Sequence, residues 1–305
     1  MTIVLSLLAQ IMHIVLMLAA APTVAGALDW LDARLSGRTG PPVLLPWRDL
    51  VRWSRKTPIA VESVSVVSRL APALGLGATL SAAALVPSFT LGMALAPLAD
   101  VLVIVSLLTL ARMASGLAAL DAGAPLPALA AQDASARAVL AEPALMLSVV
   151  SLALSGGNLN LDLIIGQQRE GLLLPAAASA IALTAMLALV FAEASGIDGG
   201  LEQMASGPDM VISRMTFWLR RLVWIDLIGA LFLPVGMAAA DSLPLAWLIG
   251  LVSWAVKLAA CILGLSAIQT LLGRVPRRSL PDLIGIAALL ALLATIMVLA
   301  STGTA

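Results

Sequence analysis

Charge is scarce in this chain. Of 305 residues only 11% are Asp, Glu, Lys or Arg, against about 25% in an ordinary soluble domain. A soluble fold of this length must cover its surface with groups that water accepts. A chain that is 61% hydrophobic has too few of them. Sulfur chemistry is equally limited: the single cysteine, Cys261, excludes a disulfide within the chain and a cysteine metal site. The only histidine, His13, excludes a haem held by two histidines of this chain. Alone in an apolar run, it reads as a packed or hydrogen-bonded side chain rather than a metal ligand. Seventeen acidic residues balance 17 basic ones, which leaves no electrostatic footprint for nucleic acid. The sequence has no P-loop, metal-ligand cluster, Gly-x-Ser-x-Gly elbow, internal repeat or heptad run. A self-sufficient active site is therefore not expected, and no residue pattern assigns a quinone site.

Long apolar runs are what the chain does have. A bilayer core takes about 20 apolar residues per helix. Eight segments meet that length: Ile3–Leu28, Val64–Val86, Leu91–Leu120, Ala138–Gly156, Gly171–Ala194, Phe217–Ala240, Leu243–Leu272 and Leu280–Ala300. The fourth contains Glu142 and Pro143, and without it the count is seven. The first lacks a basic flank and exceeds a signal-peptide core, so it reads as a retained helix. The expected fold is an all-α polytopic membrane protein of about eight transmembrane helices. It forms a single integral membrane domain over residues 1–305, with an amphipathic cytoplasmic loop at 29–63.

The basic residues sort to one side. Arg34, Arg38, Arg48, Arg52, Arg55 and Lys56 follow the first segment, and Arg112 and Arg137 flank the connection after the third. Arg214, Arg220 and Arg221 lie before or within the sixth, and Arg274, Arg277 and Arg278 follow the seventh. The opposite connections hold only Arg169. Positive-inside reasoning places the basic loops in the cytoplasm and both termini outside the cytoplasmic membrane. In the first loop, Gly40, Pro41 and Pro42 break the helix and Pro46 suits the first turn of a new one. From Trp47 to Lys56, Trp47, Leu50, Val51 and Trp53 mix with four bases and Asp49. That composition suits a short helix lying in the lipid interface, either as an anchor or as a docking surface for a cytoplasmic partner.

Ionisable residues at membrane depth cost about 2.5–3.5 kcal/mol each on insertion scales, so they face a bundle interior, a partner or water. They are Glu62 and Arg69 around the second segment, Asp100 and Arg112 in the third, Glu142 in the fourth, Glu193 ending the fifth, Asp226 in the sixth and Lys257 near the middle of the seventh. Two readings stand open for them: a chain of protonatable groups that moves protons or ions, or ion pairs and snorkelling side chains that fix packing.

The first loop also resembles a known family. Ala33-Arg34, Gly37-Arg38, Gly40-Pro41, Leu45-Pro46 and Asp49-Leu50 are similar to the opening loop of the membrane anchor subunits of energy-converting (group 4) hydrogenases and formate hydrogenlyases, which are related to subunit 1 of respiratory complex I. The similarity continues in order. It runs through Lys56–Pro72, Pro97-Leu-Ala-Asp100, Leu110-Ala-Arg112, Gly116–Asp121, Leu140-Ala-Glu-Pro-Ala-Leu145, Ala192-Glu193, Ser206-Gly-Pro-Asp209, Gly229–Pro234, Arg274-Val-Pro276 and Pro281–Gly285. It departs at 123–135, which lacks the family's Arg-Glu pair, and at 194–205, where the family has a longer loop.

The resemblance implies a membrane-anchor and coupling subunit of an oxidoreductase complex engaged in electron transport and proton translocation. Such a subunit links cytoplasmic iron–sulfur and hydrogenase-like subunits to antiporter-like, ion-translocating membrane subunits. It implies iron–sulfur clusters, and in some members nickel–iron, in those partners and none in this chain. The implied ion-path or coupling residues are Glu62, Arg69, Asp100, Arg112, Asp121, Glu142 and Glu193. The implied docking residues lie between Arg34 and Lys56: Arg34, Arg38, Pro41, Trp47, Arg48, Asp49 and Arg52. Lys257 joins the coupling set from its mid-helix position. A purely structural subunit without an ion path and a secondary transporter are the alternatives. The latter should show paired interrupted helices, which this sequence lacks.

Overall fold

Where every face of a segment is apolar, only a structure that satisfies its own backbone hydrogen bonds can sit in lipid, and the helix is the local solution. The computed structural model describes residues 2–57, 65–121, 125–169, 181–187, 206–239, 244–272 and 280–302. Among them the helices are α1 (Thr2–Leu35), α2 (Leu45–Ser54), α3 (Val66–Leu85), α4 (Val101–Asp121), α5 (Pro125–Gly156), α6 (Leu161–Arg169), α7 (Pro208–Phe232), α8 (Pro244–Leu272) and α9 (Leu280–Thr302). Two-residue strands, β1 (Thr90–Leu91) and β2 (Ala238–Ala239), pair in parallel. The architecture is all-α and polytopic.

Five of the described helical segments are long and apolar enough to cross a bilayer: Ile3–Leu35, Val66–Leu85, Val101–Asp121, Leu245–Thr270 and Pro281–Ala300. Outward-facing Leu7, Ile11 and Val15 on α1, Leu248, Val252 and Val256 on α8, and Leu289 and Ile296 on α9 form the belt that lipid covers. The inward faces are alanine-rich, with Ala20, Ala21, Ala82, Ala83, Ala287 and Ala291 all buried. Small residues let helix backbones approach where no hydrophobic force separates protein from lipid. α7 is the hub. It packs against α1, α3 and α8 and buries Trp218, Leu219, Leu222, Val223 and Leu227.

Several boundaries differ from the sequence expectation. The third segment does not begin as a helix at Leu91. Residues 90–100 run through β1, a 3-10 turn at Ala96–Leu98, and only then α4. Pro97 lacks a backbone N–H, and Gly92 sits at φ 74°, so this apolar stretch cannot continue a helix. α1 runs on to Leu35, and α5 begins at Pro125, through the stretch expected to be a loop. α7 spans Pro208–Phe232 rather than 217–240. The expected fifth span, Gly171–Ala194, lies outside the described residues except for helical residues 181–187.

At 1.5 Å per residue, the 34 residues of α1 measure about 51 Å, well beyond a hydrocarbon core of about 30 Å. Its C-terminal turns therefore carry Asp29 to Leu35 to one end of the bundle, where α2 lies against α1 and α7. The opposite end is closed by a cap of non-helical backbone. Asn160 starts α6: its Oδ1 accepts from the Leu163 N–H at 3.2 Å and its Nδ2 donates to the Ala96 carbonyl at 2.9 Å. Asp162 Oδ2 accepts the Gly92 N–H at 2.7 Å. Burial pushes the Asp162 carboxyl above its ordinary value, and the Gly92 bond opposes that rise. The Ala238 N–H donates to the Phe89 carbonyl at 2.9 Å, and Arg169 Nη1 donates to the Met237 carbonyl at 3.1 Å. Buried irregular backbone survives at membrane depth only when its polar groups find such partners.

Asp100 belongs to this cap. Its Oδ1 accepts the Leu102 N–H at 2.8 Å, and its own carbonyl accepts from Ile104 N–H at 3.0 Å, as an N-cap residue does. Asp100→Ala is therefore expected to cost about 1 kcal/mol of stability, and Asp100→Asn or Asp100→Ser far less. Unfolding midpoints in detergent check this. A loss in Asp100→Asn as large as in Asp100→Ala would show that charge, not capping, matters there.

Candidate functional site

The residues expected to dock a partner come together at one end of the bundle. Loop 36–44 folds back along α1 because two glycines let it approach: the Val43 carbonyl lies against Gly26, and Gly40 lies on the backbone of Trp30. A side chain at either position would push the loop away. α2 follows, opened by Pro46 in its first turn. It buries Pro46 and turns Leu50 and Trp53 toward the core. Its outer face presents Trp47, Arg48, Val51 and Arg52. Asp49 and Arg52 form an ion pair at 2.8 Å, with the Arg52 side chain 63% exposed. Such a surface pair adds little stability; it fixes the direction of the arginine. Arg34, exposed, stacks 5.4 Å from the Trp30 ring. Arg38 is exposed and Pro41 half-buried on the same loop.

Residues outside the expected docking set complete this end. Trp53 packs beneath Arg214 of α7, whose guanidinium lies 5.6 Å from the ring centroid. Arg214 and Arg221 lie within electrostatic reach of Asp29, and Arg221 also of Asp32. Two carboxylates near the end of α1 thus lie within reach of two guanidiniums of α7, Arg214 in its second turn and Arg221 at its middle. The sequence signal was available: Asp29 and Asp32 are three apart, and Arg214 and Arg221 are seven apart, so each pair shares a helix face.

The expected ion-path residues do not form one line. Glu62 and Glu193 lie outside the described residues. Arg69 is exposed on the first turn of α3. Asp121, at the end of α4, accepts from the Ser65 N–H at 2.9 Å and from the Ser68 hydroxyl at 2.7 Å. It thereby places a carboxylate at the N-terminus of the antiparallel neighbour α3, where the helix dipole favours negative charge. Arg112 and Glu142 are half-buried on α4 and α5, and Asp100 is at the opposite end, in the cap.

Lys257 does meet a partner network. Its Nζ donates to the Leu233 carbonyl at 3.0 Å, beyond the last turn of α7. One turn earlier on α8, Trp254 Nε1 donates to Asp226 Oδ1 of α7 at 2.7 Å. Asp226 is 5% exposed, and its Oδ2 has no hydrogen-bond partner among the described residues. Lys257 lies within electrostatic reach of Asp226. No ion pair within 4.0 Å joins the two among the described residues. These groups line a narrow cleft with Ser88, Gly229 and Cys261. Its free volume of about 10 Å³ is that of a single water. Asp226 was visible in the sequence as an intramembrane charge. Trp254, three residues before Lys257 and on the same helix face, was not singled out.

His13 is buried and hydrogen-bonded, as its setting suggested. Its ring nitrogens meet Ser88 Oγ at 2.7 Å and the Ala83 carbonyl at 2.8 Å. One turn away on α1, Gln10 donates to the Ala84 carbonyl at 2.9 Å and accepts from the Leu95 N–H at 3.2 Å.

Comparison with known proteins agrees with this architecture. The profile of a family described as NADH dehydrogenase matches residues 8–300. Formate hydrogenlyase subunit 4 of Escherichia coli (strain K12) is 28% identical over 265 residues, covering 82% of this chain and 86% of that protein. Hydrogenase-4 component C of the same organism is 28% identical over 247 residues, covering 75% and 76%. Among solved structures, a chain of the membrane-bound sulfane sulfur reductase, an archaeal respiratory membrane complex, superposes with a TM-score of 0.77. It does so at 19% identity over 95% of this chain and 98% of that one.

Proposed function

Because the chain belongs to the NADH dehydrogenase family, we propose that it is the membrane-anchor and coupling subunit of a hydrogenase- or complex I-like respiratory assembly. In that role the α1–α2–α7 end receives a cytoplasmic arm bearing the iron–sulfur and hydrogenase-like subunits, with any nickel–iron centre also in the partners. The apolar flanks contact antiporter-like, ion-translocating membrane subunits. The chain itself carries out no redox step. The protein sits in the cytoplasmic membrane with both termini outside and the α2 platform inside.

The observation that carries this reading is the build of α2. Its inner face is fixed by Pro46, Leu50 and Trp53, while Trp47, Arg48, Val51 and Arg52 are left outward. An exposed mixture of aromatic and arginine side chains on a rigid base is the composition of a protein interface. It lies beside the Arg214/Arg221 and Asp29/Asp32 cluster, so a docked arm would bear directly on α7, the helix that carries Asp226.

Purification of the tagged chain from its native membrane in mild detergent tests the proposal. Iron-containing partner subunits are expected to come with the wild-type chain. Arg48→Glu/Arg52→Glu should reduce their recovery at least tenfold, about 1.4 kcal/mol or more in affinity, with membrane insertion unchanged. A lone chain with full transport activity would support the transporter reading instead. Retention of all partners by the double variant would remove α2 from the interface.

The purely structural alternative has support at two positions, since Asp100 and Asp121 are engaged as helix caps. It does not account for Asp226, which has one buried oxygen without a partner among the described residues.

A further inference from the structure

We infer that Asp226 is a proton-carrying site wired through one water and Ser88 to His13, so that α7 and α8 exchange a proton with α1 at the capped end of the bundle. The inference deepens the coupling part of the proposed function and rests on it for its physiological meaning only.

The wiring follows from donors and acceptors. The Ala83 carbonyl can only accept, so the hydrogen bond to it fixes a proton on His13 Nε2. In a neutral imidazole Nδ1 is then the acceptor, and the Ser88 hydroxyl donates to it at 2.7 Å. That leaves the lone pairs of Ser88 Oγ to accept from a third group. Ser88 lines the same cleft as Asp226, Trp254, Lys257 and Cys261, and the cleft has room for a single water.

A water there has Ser88 Oγ as acceptor on one side and Asp226 Oδ2 on the other, the buried oxygen that lacks a partner among the described residues. Buried polar atoms are rarely left in that state, and an ordered water is the usual remedy. Trp254 holds Oδ1, which leaves Oδ2 as the oxygen of this cleft-lining carboxyl that a water can satisfy.

Along this row a proton leaves Asp226 Oδ2 to the water, a water proton passes to Ser88 Oγ, and the serine proton passes to His13 Nδ1. The products are an Asp226 carboxylate and a His13 imidazolium donating from both nitrogens. Nothing is oxidised or reduced, and no further reactant is required. The titratable groups around Asp226 are Lys257 and Cys261 on α8 and, through Ser88, His13 on α1. Lys257 stays anchored to the Leu233 carbonyl, so it sets the local potential without blocking the row.

Infrared difference spectroscopy on the purified full-length chain, titrated over the pH range in which it stays folded, tests the inference. A protonated-carboxyl C=O band is expected that shifts in heavy water and disappears in Asp226→Asn. It should move in Ser88→Ala and in His13→Gln, neither of which touches the carboxyl directly. A chain with no such band, or a band assigned to Asp226 that ignores both Ser88→Ala and His13→Gln, overturns the inference. Should either of these variants fold poorly, Ser88→Thr keeps the hydroxyl and should restore the wild-type band. A band unmoved between Ser88→Ala and Ser88→Thr counts against the wire. Proton translocation by the reconstituted complex separates the two levels. The expected infrared signature in the parent chain, together with unchanged translocation in Asp226→Asn, would remove the coupling role and leave the proton site standing.

Discussion

Gly250→Leu is expected to lower the stability of the folded chain by about 3 kcal/mol or more, an unusually large effect for a residue in a lipid-facing helix. A Cβ at position 250 would collide with the backbone carbonyl of Phe89, which rests directly on α8 there. That carbonyl already accepts from the Ala238 N–H at 2.9 Å, and the Phe89 ring meets Trp247 edge-on at 6.4 Å. Pushing α8 outward therefore breaks a buried backbone hydrogen bond and an aromatic contact, in addition to the strain of overpacking.

Gly264 supplies the control on the same helix. A Cβ there meets nothing within 4 Å, so Gly264→Leu should be neutral or stabilising by up to about 0.8 kcal/mol through helix propensity alone. Thermal unfolding in one detergent, followed by tryptophan fluorescence, compares the two. Equal midpoints would mean that the approach of residue 89 to α8 contributes nothing to holding the cap.

The contrast between those glycines shows where the sequence stops being readable. Hydropathy and length located α1, α3, α8 and α9 to within a few residues, apart from the extension of α1 to Leu35. Membrane helices advertise themselves because each must be apolar all round. The same signal misled at Leu91–Ala99, as apolar as its neighbours. There the deciding factors are local backbone chemistry at Gly92 and Pro97 and hydrogen bonds to Asn160 and Asp162, 60 to 70 residues away. α6 went unseen because nine residues are too short to span, so hydropathy leaves them in the connection that holds Arg169. Hydropathy also cannot tell an alanine-rich helix from an alanine-rich connection, and so α5 was expected to start at residue 138 rather than at Pro125.

The candidate site divides in the same way. The platform that carries the proposed docking residues between Arg34 and Arg52 is legible because it is contiguous in sequence and its amphipathic pattern is local. Its support is not, since it consists of Gly26 on α1 and Arg214 on α7. Asp100 stands out as a charge near the membrane and Asp121 only through the family resemblance, and their hydrogen bonds to backbone N–H groups at helix starts give them a capping role. That role depends on which helix end lies beside them. Asp226 was conspicuous as a charge in an apolar run. The role proposed for it rests on Trp254, Ser88 and His13, drawn from three other segments.

Trp254→Phe is expected to destabilise the chain by about 2–3 kcal/mol, the cost of stripping a buried carboxyl of its hydrogen-bond donor. The indole N–H is the partner of Oδ1, and Oδ2 has none among the described residues. Asp226→Leu alone should cost about 1–2 kcal/mol, because it leaves the Trp254 N–H buried without an acceptor. Removing both polar partners is a different matter. Buried polar pairs replaced by apolar residues of similar volume are often neutral, so Trp254→Phe/Asp226→Leu should return to within about 1 kcal/mol of the parent. Lys257 keeps the Leu233 carbonyl in every variant and so does not confound the cycle.

Unfolding measurements on the four proteins give the coupling energy. Losses that simply add would show that the 2.7 Å contact is incidental. The double variant then discriminates further, since it is stable yet has no carboxyl. If Asp226 serves packing alone, a complex containing that variant should translocate protons as the parent does. If the carboxyl carries a proton as part of coupling, translocation should fail while assembly with the partner subunits stays intact.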